Sequence, residues 1–306
     1  MIKCIKETEL YRNLNLHKNL SHAYLIYSTD SELNNQIALT FAKSLLCEQV
    51  CNTCPQCKQF DSHSHPDIII LDQDSIKVED VYNLMLQLNT LPVSNEYKIF
   101  LILNAENINE LAQNKLLKSL EEPNKTNIFI LTCAKTDKLL PTILSRLTKV
   151  YIPKLSILDK SMISRELQTN NVNISKYLDA DFTLTEMINM ETNENFLNTI
   201  LAIKDIFTNL KSSADIPKVS SNIVKIDKTL FFPILQDIFL DCINNTKKYD
   251  PALTTLISMN YPEQALVNSL PYIEESYKKI MSNVNFSYIL DNLLFNILKE
   301  KFLCKH

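Results

Sequence analysis

The sequence predicts a parallel α/β sheet domain at the amino-terminal end and an all-helical remainder, and three observations carry that prediction. Short β-rich runs alternate with helical patterns as far as Ile152, the β signal then stops, and beyond Pro153 apolar residues recur every three or four positions. The β-rich runs are residues 24–27, 68–71, 99–103, 128–131 and 149–152. Between them, Ile37, Ala38, Phe41, Ala42 and Leu45 make one helical face, Val81, Leu84, Met85 and Leu88 a second, and Leu116, Leu117 and Leu120 a third that Pro123 closes. In the remainder, one amphipathic helix is expected from Phe196 to Leu210 and another from Phe286 to Leu298 behind an Asn285 cap. The expected organisation is an α/β domain over 1–153, a small helical domain over 154–195 and a helical bundle over 196–306.

The composition excludes several classes of function. At 45% hydrophobic and 22% charged, the 306 residues have globular values, and the apolar runs are far shorter than a membrane span. No basic and apolar leader opens the sequence, so the expectation is a cytoplasmic protein without a membrane partner. Net charge is −4, shared as 15 basic against 17 acidic residues through Pro153 and 16 against 18 afterwards. Such an even balance argues against a stand-alone nucleic-acid binder.

Glycine is wholly absent, although an average composition of roughly 7% would supply about twenty. Turns that cradle phosphate need glycine for positive φ and for close approach to an anion. Left-handed positions should fall to asparagine or aspartate, and the pairs Asn34-Asn35, Asn170-Asn171 and Asn244-Asn245 are the expected sites. Arginine is scarce too: Arg12, Arg146 and Arg165 are the only three among 31 basic residues.

Four of the eight cysteines form one group, Cys47, Cys51, Cys54 and Cys57. The C-x3-C-x2-C-x2-C spacing suits a tetrahedral, structural zinc, since four thiolates leave no open position for a catalytic water. Disulfides or free thiols are the alternatives, and disulfides are disfavoured where no secretory signal is seen. His63 and His65 lie close enough in sequence to serve as substitute ligands. Cys4, Cys133, Cys242 and Cys304 are scattered and read as buried or incidental.

Around that cluster stand, in order, residues 22–28 (HAYLIYS), 64–67 (SHPD), Ala105-Glu106, 115–132 (KLLKSLEEPNKTNIFILT) and 141–146 (PTILSR). Together they resemble the clamp loader subunits of bacterial DNA polymerase III, most closely the delta prime type, over about the first 150 residues. The resemblance implies an AAA+ module, namely a RecA-like α/β domain with a helical lid, followed by an oligomerising helical collar. It also implies a hetero-oligomer with gamma/tau and delta subunits that meets the sliding clamp and primer-template DNA.

Set on that family's Walker A loop, the three glycine positions are held by Ser28, Ser31 and Leu33, the lysine position by Asn34 and the Ser/Thr position by Asn35. On the Walker B strand, Leu103 replaces the metal-binding aspartate and Asn104 the glutamate. These losses remove the phosphate cradle, its neutralising ammonium and the Mg²⁺ ligands, so no bound ATP is expected. Ser145-Arg146 matches the family's Ser-Arg-Cys motif, with Leu147 in place of the cysteine, and implies an arginine finger acting in trans on a neighbour. The adjacent Glu121 and Glu122 point about 100° apart on a helix and make no acid–base pair. An ATP-hydrolysing gamma/tau-type subunit and a stand-alone zinc-containing DNA-binding protein are the alternatives.

Overall fold

The computed structural model describes residues 2–18, 20–169, 172–178, 182–221, 223, 226–246, 251–282 and 284–304. Five strands, β1 (Ala23–Tyr27), β2 (Ile68–Leu71), β3 (Lys98–Ile102), β4 (Asn127–Cys133) and β5 (Thr148–Tyr151), form one parallel sheet in the order β2-β3-β4-β1-β5. Each expected β run is a strand, shifted by no more than two residues at either end. Leu25 on β1 lies opposite Leu131 on β4 and Lys149 on β5, and Phe100 on β3 opposite Phe129 and Ile69. The inner strands β3 and β4 are buried throughout, as a strand covered on both faces requires. β2 and β5 are the partly exposed edges.

Two helical layers cover the sheet. On one face, Val81 and Leu84 of α5 (Val78–Leu86) and Ala112, Leu116 and Leu120 of α6 (Glu110–Glu121) pack with Leu25, Phe100, Ile102, Phe129 and Leu131. The Phe100 and Phe129 rings stack at 5.1 Å. On the other, α3 (Ser31–Leu46) buries Leu33, Ile37, Ala38, Phe41 and Ala42, with Phe41 edge-on to Tyr24 at 5.1 Å. Full burial of one such side chain is worth about 1.5–3 kcal/mol, which explains why the 3.6-residue apolar period decides these elements. Shorter helices complete this part: α1 (Ile2–Glu7), α2 (Glu9–Asn13), α4 (Pro55–Asp61), α7 (Pro141–Leu144) and α8 (Ile157–Gln168).

The chain divides into two compact units, one of Met1–Ser175 with Thr183–Thr185 and the other of Lys176–Phe182 with Glu186–His306. The second contains most of α9 (Leu184–Thr192), then α10 (Glu194–Asn209), α11 (Ile216–Ser221), α12 (Lys228–Asn244), α13 (Pro251–Asn260), α14 (Glu263–Met281) and α15 (Phe286–Leu303). Its core holds Phe207, Phe231, Phe232, Phe239 and Leu290, Leu293, Leu294 and Ile297 of α15. Asn193 and Asn285 cap α10 and α15 by accepting from the Phe196 and Ser287 amides at 3.2 and 2.9 Å. No helix of the described residues is long and apolar enough to cross a membrane.

Six described residues take positive φ: Asn15, Val50, Asn52, His63, Asn104 and Asn245. Asparagine therefore holds most left-handed positions, as expected in a chain without glycine, but mostly at other sites. Asn34 and Asn35 lie in the first turn of α3 and Asn244 in the last turn of α12, where helical φ is imposed. Of the expected pairs only Asn245 is left-handed, ending α12 as a glycine would. Asn170-Asn171 lies outside the described residues.

Candidate functional site

The carboxyl ends of β1, β3 and β4 bring together the residues set at the Walker positions, where ligands bind in open α/β sheets. Ser28 follows β1, and Asn34 is fully buried in the first turn of α3. The Asn34 amide donates to the Ser28 carbonyl at 3.0 Å and to the Cys133 carbonyl at 3.1 Å, and its oxygen accepts from the Ser28 hydroxyl at 2.7 Å. One side chain thus ties the loop to β4. Asn35 donates to Asn104 Oδ1 at 3.2 Å and accepts from Thr132 Oγ1 at 2.5 Å. Thr132 Oγ1 in turn accepts from the Asn104 amide at 2.8 Å. The residues at the Ser/Thr position of the first motif and the glutamate position of the second are therefore hydrogen-bonded to each other, and Leu103 beside them is 4% exposed.

A carboxylate sits at the amino end of α3. Asp30, 6% exposed, caps the helix through the Leu33 amide at 3.2 Å, and its backbone carbonyl accepts from the Asn34 amide at 3.0 Å. Its carboxylate also accepts from the Leu184 and Thr185 amides at 2.5 and 3.1 Å and from the Thr185 hydroxyl at 2.7 Å. Thr185 Oγ1 takes the Glu32 amide at 2.9 Å, and Ser31 Oγ lies 3.4 Å from it. A helix amino terminus attracts anions through its free N–H groups and dipole, and here the chain supplies the anion itself. Burial pushes the neighbouring Glu32 carboxyl up, and the nearby Asp30 charge adds to this. Asp30, Thr132 and Thr185 were not singled out from sequence. Asp30 had a legible signal, an aspartate just before an apolar-periodic helix; the other two had none, because their roles come from contacts about 100 and 155 positions away.

The four cysteines converge. Their sulfurs all lie within 4.8 Å of one another, with Cys47 and Cys51 3.8 Å apart. A tetrahedral ion with sulfur ligands at about 2.3 Å sets sulfurs roughly 3.8 Å apart, so an all-thiolate set of this size fits zinc in a closed, structural coordination. Cys47 ends α3, and Cys54 caps α4 with Pro55 at its first position, its sulfur accepting from the Cys57 amide at 3.4 Å. The Cys54 amide donates to Cys51 Sγ at 3.4 Å and the Thr53 hydroxyl does so at 3.5 Å. Hydrogen bonds from the Thr53 hydroxyl and from the Thr53 and Cys54 amides bring the Cys51 thiol down to about 5. Burial pushes Cys57 up to about 12. The histidines stand apart from this group. Exposed His63 has φ 52°, while His65 is buried, accepts the Asp67 amide on Nδ1 at 3.1 Å and meets Gln56 Oε1 through Nε2. Of the scattered cysteines, Cys133 is buried at the end of β4 and the others are partly exposed.

Arg146 follows α7, and its Nη1 donates to the Thr142 carbonyl at 2.6 Å and to Ser145 Oγ at 3.3 Å. Its Nη2 pairs with Glu121 at the end of α6. The side chain keeps 31% exposure, so the planar fork is held at the surface. Leu147 packs into the core beneath the sheet. Arg12 and Arg165 are exposed.

The five-stranded parallel sheet, the helical carboxyl-terminal unit and the Walker-position loop over α3 define an AAA+-type module. The sequence profile of the family described as DNA polymerase III, delta subunit, matches residues 6–156. Over 300 residues the chain is 25% identical to DNA polymerase III subunit delta' of Bacillus subtilis, covering 90% of each. It is 35% identical over 154 residues to subunit tau/gamma of Haemophilus influenzae, covering 48% of this chain and 22% of that longer one. The solved structure of a gamma subunit-related protein from Thermotoga maritima has the same fold, with a TM-score of 0.51 and 17% identity over 95% of this chain and 98% of its own. The chain belongs to the bacterial DNA polymerase III clamp loader family, and within it to the delta prime type.

Proposed function

We propose that this protein is the ATP-silent delta prime member of a clamp loader ring, assembled in the cytoplasm with gamma/tau and delta subunits to place the sliding clamp on primer-template DNA. The observation that carries the silent role is the direct closure of the Walker positions. The Asn35–Asn104 bond spans the place where Mg²⁺ would be held, and Asp30 occupies the helix end where phosphate would lie. A triphosphate there would meet a buried carboxylate without a lysine to neutralise it. In this reading Arg146, steadied by Ser145, acts on the ATP of the neighbouring subunit, where a guanidinium stabilises charge on the transferring phosphoryl. The cysteine module takes a structural zinc, and the domain arrangement is an α/β domain to residue 153, a helical lid to 195 and a collar beyond.

The deciding experiment is a calorimetric titration of the isolated chain with Mg-ATP, paired with co-purification and ATPase assays with gamma/tau and delta subunits. No heat of binding together with assembly into an active ring is the expected result. Micromolar ATP binding would instead favour a gamma/tau-type subunit, and tight, salt-sensitive binding of primed DNA by the isolated chain a stand-alone DNA-binding protein.

A further inference from the structure

Lys43 is the one lysine among the largest fully buried side chains, at 1% exposure. Lysine is almost never buried this completely unless paired. Its Nζ donates to Asn52 Oδ1 at 2.8 Å and to Asp61 Oδ1 at 2.6 Å, and stands 5.7 Å from the centre of the Phe60 ring. These partners bracket the cysteine module. Lys43 lies one turn before Cys47, whose amide donates to the Lys43 carbonyl at 3.0 Å; Asn52 lies between Cys51 and Cys54; and Asp61 lies one turn beyond Cys57.

The loop between the cysteines makes demands that glycine would ordinarily meet. Val50 and Asn52 both take left-handed φ, 48° and 60°, a conformation that a Cβ disfavours. Such a conformation persists only where the surroundings impose it. Asn52 stands between two of the thiolates, Cys51 and Cys54, so its backbone conformation sets the course of the loop that carries them. The Asn52 side chain is the handle by which Lys43 holds that backbone.

We propose that Lys43 is the positioning residue of the metal module: it keeps Asn52 left-handed between Cys51 and Cys54 and ties α3 to α4 around the four thiolates. This rests on the metal reading of the cysteine cluster. The contacts act on the loop and helices that carry the ligands and not on the ion, and loss of such outer contacts typically lowers metal affinity about 10–100-fold.

The test uses the full chain as wild type, Lys43→Met, Asn52→Ala, the double variant, and Lys43→Met combined with Asn52→Gly. Zinc content, the rate of zinc release to a chelator and the thiolate bands of the Co²⁺-loaded protein are measured for each. Each single variant should bind one ion and release it about tenfold faster than wild type, and the Met/Ala double no faster than Lys43→Met alone, since both remove one contact. Asn52→Gly should restore slow release beside Lys43→Met, because glycine takes the left-handed conformation without help. Asn52 is exposed, so its variants fold even where Lys43→Met does not. Wild-type release rates in Asn52→Ala, or multiplying defects in the double variant, would overturn the proposal while leaving the metal reading in place. A wild-type chain that takes up no ion overturns both.

Discussion

Asn104 has a φ of 52°, and its position was legible only in part. The Walker comparison singled it out as a lost carboxylate, whereas its left-handed backbone was not expected. An asparagine pair in sequence does not reveal whether tertiary contacts will place it inside a helix, as with Asn34-Asn35, or just past one, as with Asn245. The cysteine spacing was legible because four ligands to one ion leave few arrangements of a short loop. Nothing comparable foretold the pairing of Arg146 with Glu121, which joins two helices 25 positions apart. Arg146 belongs to this scale. Arg146→Ala should change the chain's own unfolding free energy in urea by less than about 1 kcal/mol, since the pair is surface-exposed. In an assembled ring it should lower ATP turnover roughly 10³-fold. Unchanged turnover in a fully assembled ring would sink the finger reading.

At the scale of elements, strand positions were read well because buried parallel strands are near-continuous apolar runs. What sequence could not show is how loops are pinned to them. Asp30 joins α3 to Leu184 and Thr185, and Asp30→Ala should destabilise the chain by about 2–3 kcal/mol in chemical denaturation by removing the cap and three further bonds. A change under about 0.5 kcal/mol would mean that these contacts are not made in solution. The SHPD segment gives a pH signature. Burial keeps His65 neutral with its pKa lowered, so its contribution is complete above the unfolded value of 6.5 and is lost as pH falls through the lower folded value. Burial also pushes Asp67 up, but bonds from the Val93 and Ser94 amides and the Ser94 hydroxyl outweigh it, so its contribution fails only below the unfolded value of 3.8. Melting temperature should therefore fall in two steps on acidification. His65→Asn, whose oxygen can replace Nδ1 as acceptor, should flatten the upper step only in part, because burial lowers His17 in the same direction. An unaltered upper step in that variant would assign it elsewhere.

For the whole molecule, the change from α/β to all-α was visible in periodicity. The placement of α8 was not, because it is held by contacts distant in sequence, such as the Glu9 amide on Asp159 at 3.0 Å. The cysteine module lies wholly within the first compact unit, and a bound ion adds stability only where it binds the folded form. Calorimetry of the zinc-loaded chain should show two unfolding transitions, as expected of two units with separate cores. Exhaustive chelation should lower one of them, by about 4 kcal/mol if the ion was held at a thousandfold excess over its dissociation constant. Equal shifts of both transitions, or of neither, would contradict a metal confined to the first unit.

The closed network around Asn34 also limits what the loop can accept. A lysine there would bring an ammonium into a fully buried site and break three hydrogen bonds, two of them to carbonyls of separate elements, while Asp30 still held the helix end. No single substitution opens this loop into a phosphate cradle, since buried Asn34, the Asp30 carboxylate and the missing glycines would all have to change together, and the loop acts as one sealed joint between its strands.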